Sequence, residues 1–567
     1  MLKLDNKDLY MNEERITYFA QTDARNTKVN FGIKAKDRTK HVYVIGKTGM
    51  GKSTLLENMA VQDIKNGEGL AFIDPHGKTA ELLLEYVPEH RIKDVVYFAP
   101  FDTDYPISFN VLESVDPDKR HLVVSGLMST FKKIWQDAWS ARMEYILTNT
   151  LLALLEYPDA TLLGVNRMLS DKAFRNQVVA CVTDPSVKTF WTQEFANYTE
   201  RMAAEAVPAI QNKIGQFTAN ALIRNMIGQP KSSFNIREMM DQGKIFIINL
   251  SKGRIGESNA NLLGGMLITK IYLAALSRAD VSDRVLKTLP NFYLFVDEFQ
   301  SFANESFADI LSEARKYKLN LTIAHQYIEQ MEEEVRAAVF GNVGTMIIFR
   351  VGAYDAEVLE KEFSPVFTAE DIVNLGIYQI YLKLMIDGIS SQPFSATTMP
   401  PIAKPEHSSA QKVIEMSRQQ FALKRLDVER KIEEWHTPIK PPVKPKPEIK
   451  TEVKIEQPKF VEKVIEKKIE KPIDKPITKP TPIPTPDHSH HTSATKSPEI
   501  KPVSLSSLTT VKNNQKDATP QRVNELKNAL ASVLSSHKPK PTPKEEVKSN
   551  NPNEISEDVL RDVLKVE

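Results

Sequence analysis

The chain has 567 residues, with 74 Lys and Arg against 73 Asp and Glu, and a single cysteine. A formal net charge of +1 argues against a uniformly basic nucleic-acid coat, and one cysteine excludes an intrachain disulfide or a Cys-based metal cluster, which fits a reducing compartment. The charge is unevenly spread: residues 402–567 carry about 31 basic against about 24 acidic side chains and the rest about 43 against 49, so a mildly acidic body precedes a basic tail.

Residues 1–40 read as a lead-in segment. It opens on MLKLDNKDLYMNEERITYF, charged throughout and without the apolar run of a signal peptide, and it contains KVNFGIKAKD, which reads as a strand. Over 41–115 the apolar runs HVYVIG, GLAFID and DVVYFAP alternate with helical stretches. Across 116–240 the rhythm changes to a 3.6-residue period, as in RMEYILTNTLLALLEYP, where Met143, Ile146, Leu147, Thr150, Leu151 and Leu154 share a face. This predicts an inserted all-helical subdomain, with Cys181 a small packing residue in one of its helices.

Strand-like runs resume over 241–401 as KIFIINL, NFYLFVDE, LNLTIAHQ, TMIIFRV and YQIYLKLMIDG. Runs of this length, rich in β-branched and aromatic residues and separated by helices, predict a mostly parallel sheet covered on both faces, an α/β body. The most apolar stretch, NLLGGMLITKIYLAALSRA, is interrupted by Lys270 and reads as too short for a membrane span. The chain reads as cytoplasmic, with a peripheral place at the inner membrane only through a partner.

After Pro400 and Pro401 one long charged helix is predicted through AQKVIEMSRQQFALKRLDVERKIEEW, within 402–437 and ending before Pro438. Residues 438–520 predict a disordered linker, because a segment such as KPIDKPITKPTPIPTP cannot bury enough apolar surface to order itself. DHSHH at 487–491 reads as part of that polar tract rather than as a metal site. Over 521–567 two short amphipathic patterns close the chain: Val523, Leu526, Leu530, Val533 and Leu534, then Ile555, Val559, Val563 and Leu564. Helices this short are marginal alone and are expected to dock on a partner protein.

The chemistry concentrates in VYVIGKTGMGKSTLLENMA, Val42–Ala60, which fits G-x-x-x-x-G-K-[ST] with Gly46, Gly51, Lys52 and Ser53. Glycines let the N–H groups from about Gly49 to Ser53 point together at phosphate oxygens, and the helix that follows adds its positive end. Gly46, Lys47, Thr48, Gly49, Met50, Gly51, Lys52, Ser53 and Thr54 are the expected nucleotide-binding set. Lys52 is placed on the β- and γ-phosphates of ATP and the Ser53 hydroxyl on Mg²⁺. A plain glycine-rich turn is the competing reading, but the match follows a strand and opens a helix, as the motif requires.

FYLFVDEF adds a buried strand ending in Asp297, a candidate for the Mg²⁺ shell, and Glu298, a candidate to polarise the attacking water. The acid pair points to a hydrolysing ATPase rather than a GTPase switch; NKIG at Asn212 lacks the acid of a guanine reader. Gln326, at the end of LNLTIAHQY, resembles the sensor glutamine of RecA-like folds, where the strand after the acid-pair strand lies between it and the loop strand. Arg315 is a candidate arginine finger for a neighbouring subunit, and Arg350 a weaker one.

Together HVYVIGKTGMGKSTLL, FIDPHGK, PISFNVLE, KIFIINLSKGRIGE, FYLFVDEFQSFA, ARKYKLNLTIAHQY and VFGNVGTMIIFRVG resemble the HerA/FtsK superfamily of P-loop translocases, specifically the TraG/TraD-like coupling proteins of conjugative type IV secretion. The likeness spans roughly residues 25–400. It implies a RecA-like P-loop NTPase domain with an inserted helical subdomain, a homohexameric ring with ATP at subunit boundaries, and DNA threaded through its channel. It also implies that Arg315 acts on the neighbour's ATP. The membrane helices that coupling proteins usually carry at the N-terminus are not visible here, so a secretion channel or anchor protein is the expected membrane partner. The readings left open are an ATP-driven DNA translocase, a secretion-assembly ATPase acting on protein or pilus subunits, and a non-motor ATP-binding adaptor.

Overall fold

The computed structural model describes residues 13–437, apart from 24–26, 114 and 305. The linker and the terminal docking helices expected beyond residue 437 lie outside the described residues. Seven strands lie parallel: β3 (Val42–Ile45), β4 (Gly69–Asp74), β5 (Val95–Phe98), β6 (Ile245–Asn249), β7 (Phe292–Val296), β8 (Leu319–His325) and β9 (Thr345–Ile348). Every residue in them is buried. Helical layers on both faces impose this, and it is why these strands read as continuous apolar runs.

Four strands extend the sheet antiparallel on the β9 side: β1 (Ile16–Gln21), β2 (Asn30–Lys34), β10 (Gln379–Lys383) and β13 (Phe394–Thr398). The order is β2-β1-β13-β10-β9-β3-β8-β7-β4-β6-β5. β1 and β13 have mixed burial and carry no clear apolar run, so their sequence signal is weak. YQIYLKLMIDG divides after Lys383: its last part forms β11 (Met385–Ile386), which turns back into β12 (Ile389–Ser390) through Asp387 and Gly388.

Side chains alternate between two cores. Val42 and Val44 belong to the face covered by α1 (Lys52–Asn66) and α2 (Lys78–Glu85), while Tyr43 and Ile45 belong to the other. Arg38, buried, pins the lead-in segment to α1 through a bidentate contact with Asp63 at 2.7 and 2.9 Å, and stacks 3.8 Å above the Tyr293 ring.

Between β5 and β6 the chain builds helices, including α3 (Arg120–Ile134), α4 (Ala141–Leu155), α5 (Leu163–Ser170) and α6 (Glu200–Ala219). Their starts are written locally: Ser140, Asp171, Asp184, Thr199, Asn220 and Asn235 each accept a main-chain N–H at a helix N-cap. Their apolar faces merge into the core beneath Tyr43 and Ile45. Cys181 does not pack there: it ends helix Lys172–Cys181 and is exposed, because the buried side of that short helix is carried by Phe174 and Val178.

The apolar stretch that reads as too short for a span forms α7 (Glu257–Leu276), and with the turn that continues it, 257–280 has the length and apolarity of a membrane helix. Here it packs against α3. Gly126 of α3 receives the Thr269 methyl and Gly265 of α7 receives the Thr130 methyl, while both hydroxyls return to the carbonyl four residues back, at 2.8 Å in α3 and 2.9 Å in α7. Lys270 is half-buried and donates to the Glu113 carbonyl at 3.2 Å.

The single charged helix predicted within 402–437 is two helices, α8 (Ala410–Phe421) and α9 (Arg425–His436). Helix propensity loses to tertiary hydrogen bonds at the break: Leu423 N–H donates to Pro106 O at 3.4 Å and Arg425 N–H to Asp104 O at 3.0 Å. Arg418 grips Asp102 at 2.7 and 3.0 Å, and Ser417 accepts the Tyr97 N–H at 2.9 Å, so α8 covers the free edge of β5.

A Cβ added at Gly265 would stand 2.6 Å from the Thr130 methyl. Gly265→Ala is expected to cost about 1–2 kcal/mol through overpacking, seen as a lower Tm. Thr130→Ser removes that methyl but keeps the hydroxyl, which stands 2.9 Å from the same Cβ, and should restore part of the loss in the double variant.

Candidate functional site

β3 delivers its chain into a loop held from both sides. Gly46 N–H donates to His325 O of β8 at 3.3 Å, and Lys47 N–H to Arg350 O, just past β9, at 2.8 Å. A Cβ at Gly46 would meet that of Phe349 at 2.4 Å, so glycine is required by space alone. Gly49 and Gly51 have φ of +80° and +117°, in the left-handed region open to glycine, and Gly51 is the N-cap of α1. Lys52, buried, folds its ammonium back onto the loop carbonyls of Gly46 at 2.5 Å and Lys47 at 3.1 Å. Burial lowers its pKa, against the opposing pull of Asp297 and Glu298. Thr54 follows in the first turn of α1.

Strand order brings the acid pair to this loop. β7 is separated from β3 by β8 alone. The Ser53 hydroxyl donates to Asp297 Oδ2 at 3.3 Å. Burial raises the Asp297 carboxyl to about 6, with Asp74 and Glu298 pushing the same way. Glu298 adopts φ of +50°, and its carboxylate accepts from the side-chain amides of Gln326 and Gln300. Gln326 in turn accepts the Thr48 hydroxyl at 3.1 Å, closing a path from the glycine loop to the acid pair. A hydroxyl and a carboxylate in contact, beside two further carboxylates and a lysine, form a donor set that suits a divalent cation bound with a polyphosphate.

Three neighbours complete the site without having been assigned roles in the sequence reading. Asp74, at the end of β4, accepts the N–H groups of His76 at 2.8 Å and Ala80 at 2.9 Å, which shapes the DPHG turn at the start of α2. That turn sets His76 Nε2 3.8 Å from the Glu298 carboxylate. His325 is buried, with Nδ1 3.1 Å from the Tyr43 hydroxyl; burial, with Lys52 adding to it, lowers its pKa to about 3, so the ring is neutral. The signal available in sequence was DPHG itself, an acid closing a strand immediately before a helix.

Arg315 is not brought to this site. It lies exposed on the turn preceding β8, at the opposite edge of the sheet from the loop, close enough to His41 to oppose that ring's protonation.

The family of the type IV secretion-system coupling protein DNA-binding domain matches residues 27–377, more than half of the chain. The chain belongs to that family. A search of curated proteins found no match. Among solved structures, the plasmid coupling protein TrwB in complex with ADP and Mg²⁺ aligns with a TM-score of 0.51 at 15% identity, over 72% of this chain and 95% of that one. Conjugative coupling protein TrwB in its trigonal form with sulphate gives 0.51 at 14%, over 71% and 94%. TrwB with the GTP analogue GDPNP gives 0.50 at 15%, over 72% and 94%. At these identities the likeness is one of fold, and it is the RecA-like P-loop fold of a coupling protein.

In this coupling-protein fold the buried Asp297 carries a sign that can be measured. Unfolded, its carboxyl ionises near the ordinary 3.8; folded, near 6. Between those values the folded chain holds a proton the unfolded chain has lost, so stability falls as pH rises through the window and the penalty is complete above it. Asp297→Asn in metal-free protein is therefore expected to raise stability at pH 7.5 by about 1–3 kcal/mol and to leave it nearly unchanged at pH 4, read from thermal melts at the two pH values.

Proposed function

We propose that this chain is an ATP-hydrolysing motor that works as a homohexameric ring and moves DNA. The observation that carries the reading is the contact between Ser53 of the glycine loop and Asp297 of the acid pair, with Glu298 and Gln326 joined beside it. The family's DNA-binding description supports DNA as the cargo. TrwB has been solved with ADP and Mg²⁺ and with a non-hydrolysable GTP analogue, which supports a nucleoside triphosphate as the ligand.

The N–H groups of Gly49 to Ser53 hold the phosphates, and Lys52 exchanges its loop carbonyls for β- and γ-phosphate oxygens. Ser53 and Asp297 would hold Mg²⁺, which when bound would offset the charge of the phosphates. Glu298 orients the attacking water and accepts its proton; to do so it gives up its contact with Gln326, whose amide then turns to the γ-phosphate. Because Gln326 is also tied to Thr48, its release reports the state of the triphosphate to the loop. Arg315, at the far edge of its own sheet, serves the site of a neighbouring copy. The protein acts in the cytoplasm, reaches the inner membrane through an anchor or secretion channel, and uses its basic tail to recruit a partner.

ATPase rates with and without single- and double-stranded DNA test the cargo. DNA is expected to raise the rate; a rate indifferent to both DNAs and raised by a partner protein would replace DNA with a protein cargo. Glu298→Gln is expected to retain ATP binding while kcat drops about 100-fold or more. Arg315→Ala and Lys52→Ala should each be inactive alone, yet recover activity when mixed, since one supplies an intact loop and the other an intact finger. No recovery in mixed oligomers would remove Arg315 from the neighbour's site.

A further inference from the structure

Two strands to one side of β3, across β8 and β7, stands the acid pair; two strands to the other side, across β9 and β10, stands an exposed aromatic. β10 runs antiparallel to β9, with Tyr381 opposite Ile348, so the turn before Gln379 reaches the same sheet edge as the glycine loop. That turn ends in Ile377 and Tyr378, which are 56% and 52% exposed. Tyr378 has φ of +66°, a conformation an L-residue adopts at a cost and one that tends to persist at functional sites.

Several contacts hold it there. Tyr378 N–H donates to Met50 O of the glycine loop at 3.2 Å, and Tyr378 O accepts from Thr398 N at 2.9 Å and Thr398 Oγ1 at 3.4 Å. Its ring leans over Gly51: a Cβ there would stand 2.9 Å from Tyr378 Cδ1. Beyond Thr398, residues 399–402 are clamped to α1 by Asn58, which donates to Pro400 O at 2.9 Å and accepts the Ile402 N–H at 3.0 Å. The Tyr378 turn and the Met399–Pro401 segment therefore rise side by side next to the first turns of α1, and Pro400 and Pro401 are exposed.

A triphosphate whose γ-phosphate lies at Glu298 and whose β-phosphate lies in the glycine loop extends its α-phosphate, sugar and base away from the acid pair, toward this side. We infer that Tyr378 is the stacking platform for the nucleobase, with Ile377 and the Met399–Pro401 segment as its apolar surround. The inference rests on the nucleotide reading proposed above and adds the subsite that recognises the base. It also accounts for an aromatic left exposed on strained backbone that is tied directly to the glycine loop.

The test compares two probes on the full chain in magnesium buffer, ATP and inorganic tripolyphosphate, with wild type, Tyr378→Ala and Tyr378→Phe. Alanine meets the same backbone strain as tyrosine, so the comparison isolates the ring. Tyr378→Ala is expected to weaken ATP about 5–150-fold, the range of one base–aromatic stack, while tripolyphosphate affinity stays unchanged. Tyr378→Phe should bind ATP as wild type does. Equal weakening of both probes by Tyr378→Ala would reduce the ring to a prop for the loop and overturn the platform while the nucleotide site stands. Unchanged ATP affinity in Tyr378→Ala, or a loss in Tyr378→Phe as large as in alanine, would also overturn it. Wild-type protein that binds neither probe would overturn the nucleotide site itself.

Discussion

A hydroxyl from one end of the chain and a carboxylate nearly 250 positions later meet at 3.3 Å, and most of what is distinctive here depends on that meeting. Parallel strands point their C-terminal ends to one edge, so loops leaving β3, β4, β7, β8 and β9 converge there whatever their distance in sequence. Placing β8 between β3 and β7 then sets the side chains at its end, His325 and Gln326, beside both the glycine loop and the acid pair. Burial, with the carboxylates of Asp74 and Glu298 adding to it against the pull of Lys52, is why Asp297 holds its proton to unusually high pH.

The sheet is protected unequally at its two ends. On one side the parallel strands stop at β5, whose free edge is covered by α8, with Ser417 receiving a main-chain N–H that would otherwise lack a partner. On the other, antiparallel strands continue the ladder to β2 and carry the Tyr378 turn to the same edge as the glycine loop. The antiparallel addition thus extends the site as well as the sheet. Helices between β5 and β6 share a core with the sheet rather than owning one, through packing such as the glycine–threonine notches of α3 and α7.

Where local chemistry was strong, the sequence was legible. The seven parallel strands were visible because burial on both faces demands unbroken apolar runs, and the glycine loop because φ values open to glycine and the Phe349 contact leave few alternatives. β1 and β13 escaped notice because half-buried strands carry a weaker pattern. The long charged helix divided because loop 102–107 offers its backbone hydrogen bonds that no local propensity foretells. DPHG stood out as a motif, but that it sets His76 beside Glu298 depends on which strand lies next to which.

By itself the sequence determined the phosphate-binding loop, the acid pair, the alternation of strands and helices, and the resemblance to coupling proteins. Each of these is written within a few consecutive residues, where backbone sterics and burial period act directly. Only the tertiary structure decided that Ser53 touches Asp297, that Gln326 bridges Thr48 to Glu298, that Arg315 faces away, and that Tyr378 stands over Gly51. Those are consequences of strand order and direction, which arise from packing the whole sheet at once and leave no trace in any short stretch of chain.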